Sequence, residues 1–263
     1  MPKPSITSLS NPLIKQVRAL RQKKTRQESG LFLVEGIHHV GEALQAGWEV
    51  ESILYAPELL SSDFGHLLIE QNPGHVQPVS RTVMEGLADK DHPQGILAIV
   101  HQRQADLNEF TALRQAVALV APQDPGNLGT ILRTMDAVGC EALFLLDGGV
   151  ELYHPTVIRA SMGTLFWIPI IQISFDEFFH WSRNAVEGSL QLVGTSAHGT
   201  VDSREFTPDE PWVLVLGNEQ KGLTPEQVAA CDITISLPMK GRVSSLNLAV
   251  AAGVLLYQFH KNT

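Results

Sequence analysis

The sequence predicts an α/β protein in which a small N-terminal α/β domain precedes a larger domain built on a parallel sheet. From Ala116 onward, apolar runs of strand length alternate with helix-like segments. Runs that are apolar throughout, rather than at every second position, fit a parallel sheet covered by helices on both faces. A shorter alternation of the same kind lies between Leu31 and Val100. The polar stretch Gln102 to Gln115 between them reads as a linker plus a lead-in helix, so the division is expected between residues 105 and 106.

Taken in order, Asn11-Pro12 has the form of an N-cap followed by proline at the first helical position, with Leu13, Val17 and Leu20 on one side of the helix. Leu31 to Val34 and Val50 to Ala56 read as strands, with a helix from Gly36 to Ala46 between them and a helical stretch from Pro57 to Glu70 after them. Val76 to Val79 and Ile96 to Val100 complete the first unit. In the second, strands are expected at Ala116–Ala121, Ala142–Leu146, Phe166–Ile171, Leu190–Thr195, Trp212–Leu216 and Ile233–Leu237. Helices are expected at Gly129–Val138, Val157–Met162, Phe175–Val186 and Pro225–Ala230, and a last one runs from Leu248 to His260.

Composition narrows the function. With 44% hydrophobic and 18% charged residues the chain reads as an ordinary soluble globular protein. Its longest apolar runs fall far short of a roughly 20-residue membrane span. No basic-then-apolar leader opens it, which suggests a cytoplasmic protein. Cys140 and Cys231 form no CxxC pair and read as reduced, packed thiols. The ten histidines show no HExxH-like spacing, so no metal site is expected. Net charge is −9, yet residues 1–30 carry seven cations (Lys3, Lys15, Arg18, Arg21, Lys23, Lys24, Arg26) against Glu28, a local 7 − 1 = +6. A basic stripe on an otherwise acidic chain is the footprint of local phosphate contact. A solvated helix face is the plainer explanation.

Three loops concentrate the chemistry. Ala121 to Arg133, continuing to Gly139, contains Pro122-Gln123-Asp124-Pro125-Gly126-Asn127. Val213 to Leu223 contains Gly217-Asn218-Glu219-Gln220-Lys221-Gly222, and Ile235 to Asn247 contains Pro238, Gly241, Ser244, Ser245 and Asn247. Each joins an apolar strand to a helix through a turn rich in Gly and Asn. In open α/β sheets ligands bind at the carboxyl ends of strands, where such loops lie. The last helix is apolar on nearly every face and must be buried in a core or against a partner subunit. The polar cluster before it then has to be hydrogen-bonded, in the simplest case with Ser244 or Ser245 as N-cap. Dinucleotide and P-loop signatures are excluded, because Gly126-Asn127-Leu128-Gly129 lacks the G-x-G-x-x-G spacing and Gly222 is followed by Leu223 instead of the phosphate-binding lysine. No G-x-S-x-G nucleophile elbow occurs.

In this order and spacing, the three loops resemble the three motifs of the SpoU (TrmH-like) RNA 2′-O-ribose methyltransferases, over about Val117 to Phe259. Leu31 to Gly36 and His92 to Ile96 are similar to the N-terminal substrate-binding domain that many of these enzymes carry. The resemblance implies a SPOUT-type parallel-sheet domain with a deep trefoil knot, S-adenosyl-L-methionine as cofactor, rRNA or tRNA as substrate, and a homodimer formed through the last helix and the first-motif helix. It implies a catalytic set of Asn127, Arg133, Glu219, Ser245 and Asn247, and cofactor contacts from Thr195, Leu216, Gly217, Ile235, Leu237 and Leu246. RNA contacts are then expected from Lys15, Arg18, Lys23, Lys24, Arg26, Arg159, Ser161 and Arg242. Gln220 stands where the family often has glycine, and Arg242 adds a cation inside the third motif. Two other readings remain at this point: an RNA-binding protein of the same fold without the chemistry, and a methyltransferase acting on the N1 position of a base.

Overall fold

A computed structural model describes residues 3–89, 92–110, 113–184, 190–209 and 211–260. It separates into two compact units: Met1–Arg103 with Tyr153–Phe166, and Gln104–Leu152 with Trp167–Thr263. A single division between 105 and 106 would assign Tyr153–Phe166 to the second unit, whereas its contacts lie in the first.

The first unit starts with helix α1 (Pro12–Ala19), capped by Asn11, whose side chain accepts the amide of Leu13 at 2.9 Å. The basic helix does not continue. α1 ends, and α2 (Lys23–Ser29) starts anew. Arg26 folds back over the break, its Nη1 donating to the carbonyls of Leu20 at 2.7 Å and Arg21 at 2.8 Å. These are carbonyls that a helix end leaves without partners, and satisfying them buries Arg26 to 2% exposure. Strands β1 (Leu31–Glu35), β2 (Val50–Tyr55), β3 (Val76–Pro78) and β4 (Ile96–His101) form a sheet in the order β1-β4-β2-β3, with only β2 and β3 parallel. α3 (Ile37–Gln45) follows β1. α4 is shorter than expected (Asp63–Gln71), because Ser62 caps it by accepting the Gly65 amide. α5 (Arg81–Leu87), capped by Ser80, was not anticipated from the sequence. α1 and α5 share one apolar cluster with the sheet, containing Ile14, Val17, Leu20, Val83 and Leu87.

The second unit is a seven-stranded sheet in which every pairing is parallel. Its strands are β5 (Gln115–Val120), β6 (Ala142–Leu146), β7 (Ile170–Ile173), β8 (Gln191–Thr195), β9 (Val201–Asp202), β10 (Trp212–Leu216) and β11 (Ile233–Ser236). They run in the order β7-β6-β5-β10-β8-β11-β9. β6 and β10 are buried along their whole length, and β5 from Ala116 onward, as their uninterrupted apolar sequences require. The strand expected at Phe166–Ile171 begins only at Ile170, and Thr164–Phe166 is a 3-10 turn. Pro169 has no amide to give a ladder and marks the strand entrance instead. The lead-in helix before β5 reduces to a 3-10 turn at Leu107–Glu109.

Helices α6 (Pro125–Val138), α7 (Pro155–Ala160), α8 (Phe175–Asn184), α9 (Pro225–Ala230) and α10 (Leu248–His260) complete the chain. The expected end of α8, Val186, lies outside the described residues. α7 belongs to the segment that packs with the first unit. α10 lies against α6 and buries Leu248, Ala252, Leu255, Leu256 and Phe259. Neither Ser244 nor Ser245 caps it. Asn247 does, accepting the amides of Ala249 at 3.0 Å and Val250 at 3.3 Å.

Candidate active site

Because all seven strands are parallel, the loops after β5, β8, β10 and β11 emerge along one edge. These four strands are contiguous in the order β5-β10-β8-β11, so the three motif loops and the Thr195 loop lie side by side.

A hydrogen-bond chain joins the three motif loops. The Glu219 carboxylate, from the loop after β10, accepts the amides of Gln123 at 3.0 Å and Asp124 at 3.2 Å, both at the entrance to α6. It also accepts Asn127 Nδ2 at 3.3 Å. Asn127 is 9% exposed and uses its other side-chain atom, Oδ1, to accept Asn247 Nδ2 at 2.9 Å. Asn247 in turn holds the first amides of α10 through Oδ1. One carboxylate and two amides therefore fix the starts of α6 and α10. A negative charge at the α6 N-terminus is also favoured by the helix dipole. Engaged by these donors, Glu219 braces the loops.

Asn218, which sequence reasoning passed over, shapes the same turn. Its Nδ2 donates to Ala121 O at 2.8 Å, and its Oδ1 accepts the amides of Gln220 and Lys221. The only sequence signal was an asparagine next to Gly217, a common turn pair. Ala121 has φ of 44°, a conformation that strains a side-chain-bearing residue. Gly217 is required for a different reason: a Cβ there would sit 2.2 Å from the Gly222 carbonyl carbon. Gln220 is not among the residues with positive φ, so the turn accepts it in place of glycine. In the Thr195 loop, a Cβ on Gly199 would sit 2.3 Å from the backbone of Ile235, so that loop lies against β11.

The remaining expected residues divide by burial. Leu216 and Ile235 are each 1% exposed, so their side chains are packed in the core beneath the strand-end loops. Thr195 is half-buried, donating from Oγ1 to Val215 O at 3.2 Å, and Leu237 is half-buried. Leu246, Ser245 and Arg242 are exposed on the loop before α10, and Arg133 is exposed on α6. The hydrogen-bond chain does not include Arg133 or Ser245. Of the RNA-contact set, Lys15, Arg18, Lys23 and Lys24 are exposed. Arg26 is removed from that set by its buried cap, and Ser161 by its complete burial, its hydroxyl donating to Ile158 O at 2.9 Å. Arg159 is exposed and paired with Asp89.

Both cysteines are free. Burial, with Glu141 nearby, pushes the Cys140 thiol up to about 12, and burial with Asp232 nearby pushes Cys231 up to about 11, so neither is a thiolate nucleophile at neutral pH. Among the described residues no cluster of His, Cys, Asp or Glu could hold a metal ion, and no helix is long and apolar enough to cross a membrane.

Comparison with known proteins adds to this geometry. The SpoU rRNA Methylase family matches residues 114–257, and the MRM3-like substrate binding domain matches residues 11–98. The 23S rRNA (uridine(2479)-2′-O)-methyltransferase of Streptomyces viridochromogenes is 32% identical over 90% of this chain and 84% of its own. The 23S rRNA (guanosine(2553)-2′-O)-methyltransferase RlmP of Bacillus subtilis is 30% identical over 96% of this chain and 97% of its own. The crystal structure of an AdoMet-bound rRNA methyltransferase from Sinorhizobium meliloti superposes with a TM-score of 0.88 at 35% identity, covering 98% of each chain. With one family matching more than half of the sequence and relatives aligned along nearly all of it, the chain belongs to the SpoU rRNA methylase family.

Proposed function

We propose that this protein transfers a methyl group from S-adenosyl-L-methionine to a ribose 2′-hydroxyl of ribosomal RNA, as a homodimer acting in the cytoplasm. The observation that carries the reading is the Glu219–Asn127–Asn247 chain, which draws the three motif loops together at the carboxyl edge of the sheet. An RNA-binding protein without the chemistry would have no evident use for such a brace. Methylation of a base nitrogen needs a base to take its proton, and the motif carboxylate, Glu219, is already engaged by donors.

The residues fit the cofactor. Between Pro238 and Leu246 the chain makes no hydrogen bond among the described residues, which leaves its backbone donors open for an adenine edge. Leu237, half-buried, and Leu246, exposed, would cover the ring faces, with the Thr195 loop as a further wall and the backbone of Gly217 at the same edge of the sheet. The family's trefoil knot, with the C-terminal segment threaded through an earlier loop, would hold these loops together. When bound, the cofactor supplies an electrophilic sulfonium methyl, so the protein must mainly orient the hydroxyl and manage its proton. The Arg133 guanidinium offers a planar fork of donors suited to a phosphate. It would hold the phosphate beside the target ribose and stabilise the developing alkoxide, while Ser245 and Arg242 contact the same nucleotide. The exposed Lys15, Arg18, Lys23 and Lys24 would hold the RNA backbone from the first unit.

The dimer reading rests on α10. Val250, Val254 and Tyr257, spaced along one helix face, are 51%, 45% and 51% exposed. Burying the rest of each contributes on the order of 1 kcal/mol. Light scattering at micromolar concentration should give twice the chain mass, and Val254→Glu should halve it. A wild-type mass of one chain removes the dimer.

The pure protein should bind S-adenosylmethionine or S-adenosylhomocysteine in EDTA, measured by calorimetry. Absence of heat at near-millimolar cofactor would contradict the enzymatic reading.

A further inference from the structure

Within the first unit, four charged side chains from four different segments meet at one cavity. Arg21 comes from the turn between α1 and α2, Glu35 from the end of β1, Asp89 from just beyond α5, and Arg159 from α7. The Asp89 carboxylate lies between the two guanidiniums, 2.7 Å from Arg21 Nη1 at one oxygen and 3.1 Å from Arg159 Nη1 at the other. Arg21 also donates to Leu87 O, which fixes its reach. Leu33 and Leu97 give the cavity an apolar lining.

Two features are unlike an ordinary structural ion pair. First, the arginines keep 41% and 43% of their side chains exposed, so the pairing with Asp89 does not enclose them. An anion held by two forked guanidiniums is the arrangement that also recognises a phosphodiester. Second, Glu35 Oε2 accepts the Asp89 amide at 3.0 Å, whereas its Oε1 is buried with no hydrogen-bond partner among the described residues. A buried carboxylate oxygen normally accepts a bond, and the hydroxyl of a ribose attached to that phosphodiester can donate one.

We propose that this cavity is a second RNA contact, taking a ribose phosphate of the substrate between Arg21 and Arg159, and that Asp89 is an internal stand-in for that phosphate, displaced when RNA binds. The proposal rests on the RNA-binding reading of the first unit and adds to it a defined site under competition from the protein's own carboxylate. RNA binding then includes the displacement of Asp89, so removing that carboxylate strengthens binding. A purely structural ion pair predicts no such gain.

The test uses the full chain, an unmodified 23S rRNA transcript, and binding measured over a range of salt. Asp89→Asn should tighten binding about three- to tenfold, more than Glu70→Gln, which makes the same charge change at an exposed position on α4. Arg159→Gln should weaken it about tenfold and reduce the salt slope by about 0.7–0.9, the share of one phosphate contact. Cofactor affinity should be the same in all of them. If both site variants shift the melting temperature but leave RNA affinity and salt slope at wild-type values, the cluster is only a brace and the proposal is overturned. If Asp89→Asn weakens binding, the stand-in role is overturned. If the wild type binds cofactor but not the transcript, the RNA reading itself falls and takes this site with it.

Discussion

Replacing Arg133 with alanine is expected to lower methyl transfer at least about a hundredfold while leaving cofactor affinity within a factor of about two. Removing one preormed donor to a developing oxyanion typically has an effect of about that size on turnover. The substitution should be structurally mild, because Arg133 is exposed on α6 and takes no part in the Glu219–Asn127–Asn247 chain. Single-turnover rates at saturating RNA, alongside calorimetry for the cofactor, separate the two effects. Near-normal turnover would remove Arg133 from the chemistry.

The second large effect is expected at the brace. Glu219→Ala should lower stability by about 2 kcal/mol, because it leaves the Asn127 amide group and two backbone amides without their acceptor. For a chain of this length that is a melting shift of roughly 4–8 °C. The loops it joins include the proposed cofactor walls, so cofactor affinity should fall at least about tenfold, unlike in Arg133→Ala. Asn127→Ala should resemble it. Since the two side chains share one hydrogen bond, the double variant should cost less than the sum of the singles. Fully additive losses would show that the chain is not a unit. The contrast between the variants is the informative part: in the proposed mechanism Glu219 and Asn127 would act through position, and Arg133 through charge at the reacting oxygen.

Much of this was legible in the sequence because local chemistry decides it. Uninterrupted apolar runs such as Ala142–Leu146 could only be buried strands, and Asn11-Pro12 could hardly start anything but a helix. Asn127, Glu219 and Asn247 were legible as candidate site residues only through the resemblance of their loops. Their mutual hydrogen bonds span 92 and 120 residues of chain and have no local signal. Arg26 reads as one more cation in a basic run, and only the break between α1 and α2 gives it two carbonyls to cap. Phe166 and Trp167 continue an apolar run, but Pro169 delays the strand beyond them. Ser244 and Ser245 are good caps by type, yet Asn247 is the residue adjoining the first turn of α10, and it serves both that turn and Asn127. The return of Tyr153–Phe166 to the first unit is likewise a tertiary event. Its anchors are the tilted packing of Tyr153 against Phe32, 4.4 Å between ring centroids, and the bond from Trp48 Nε1 to Phe166 O at 2.8 Å.

The central claim is that the three loops at the sheet edge methylate a ribose. Mapping 2′-O-methylation across an unmodified 23S rRNA transcript after incubation with the protein and S-adenosylmethionine tests it most directly. The account predicts a ribose that gains a methyl with the wild type and does not with Arg133→Ala, in the presence of EDTA. A methyl found on a base, or no methylated ribose although cofactor and RNA both bind, would contradict it.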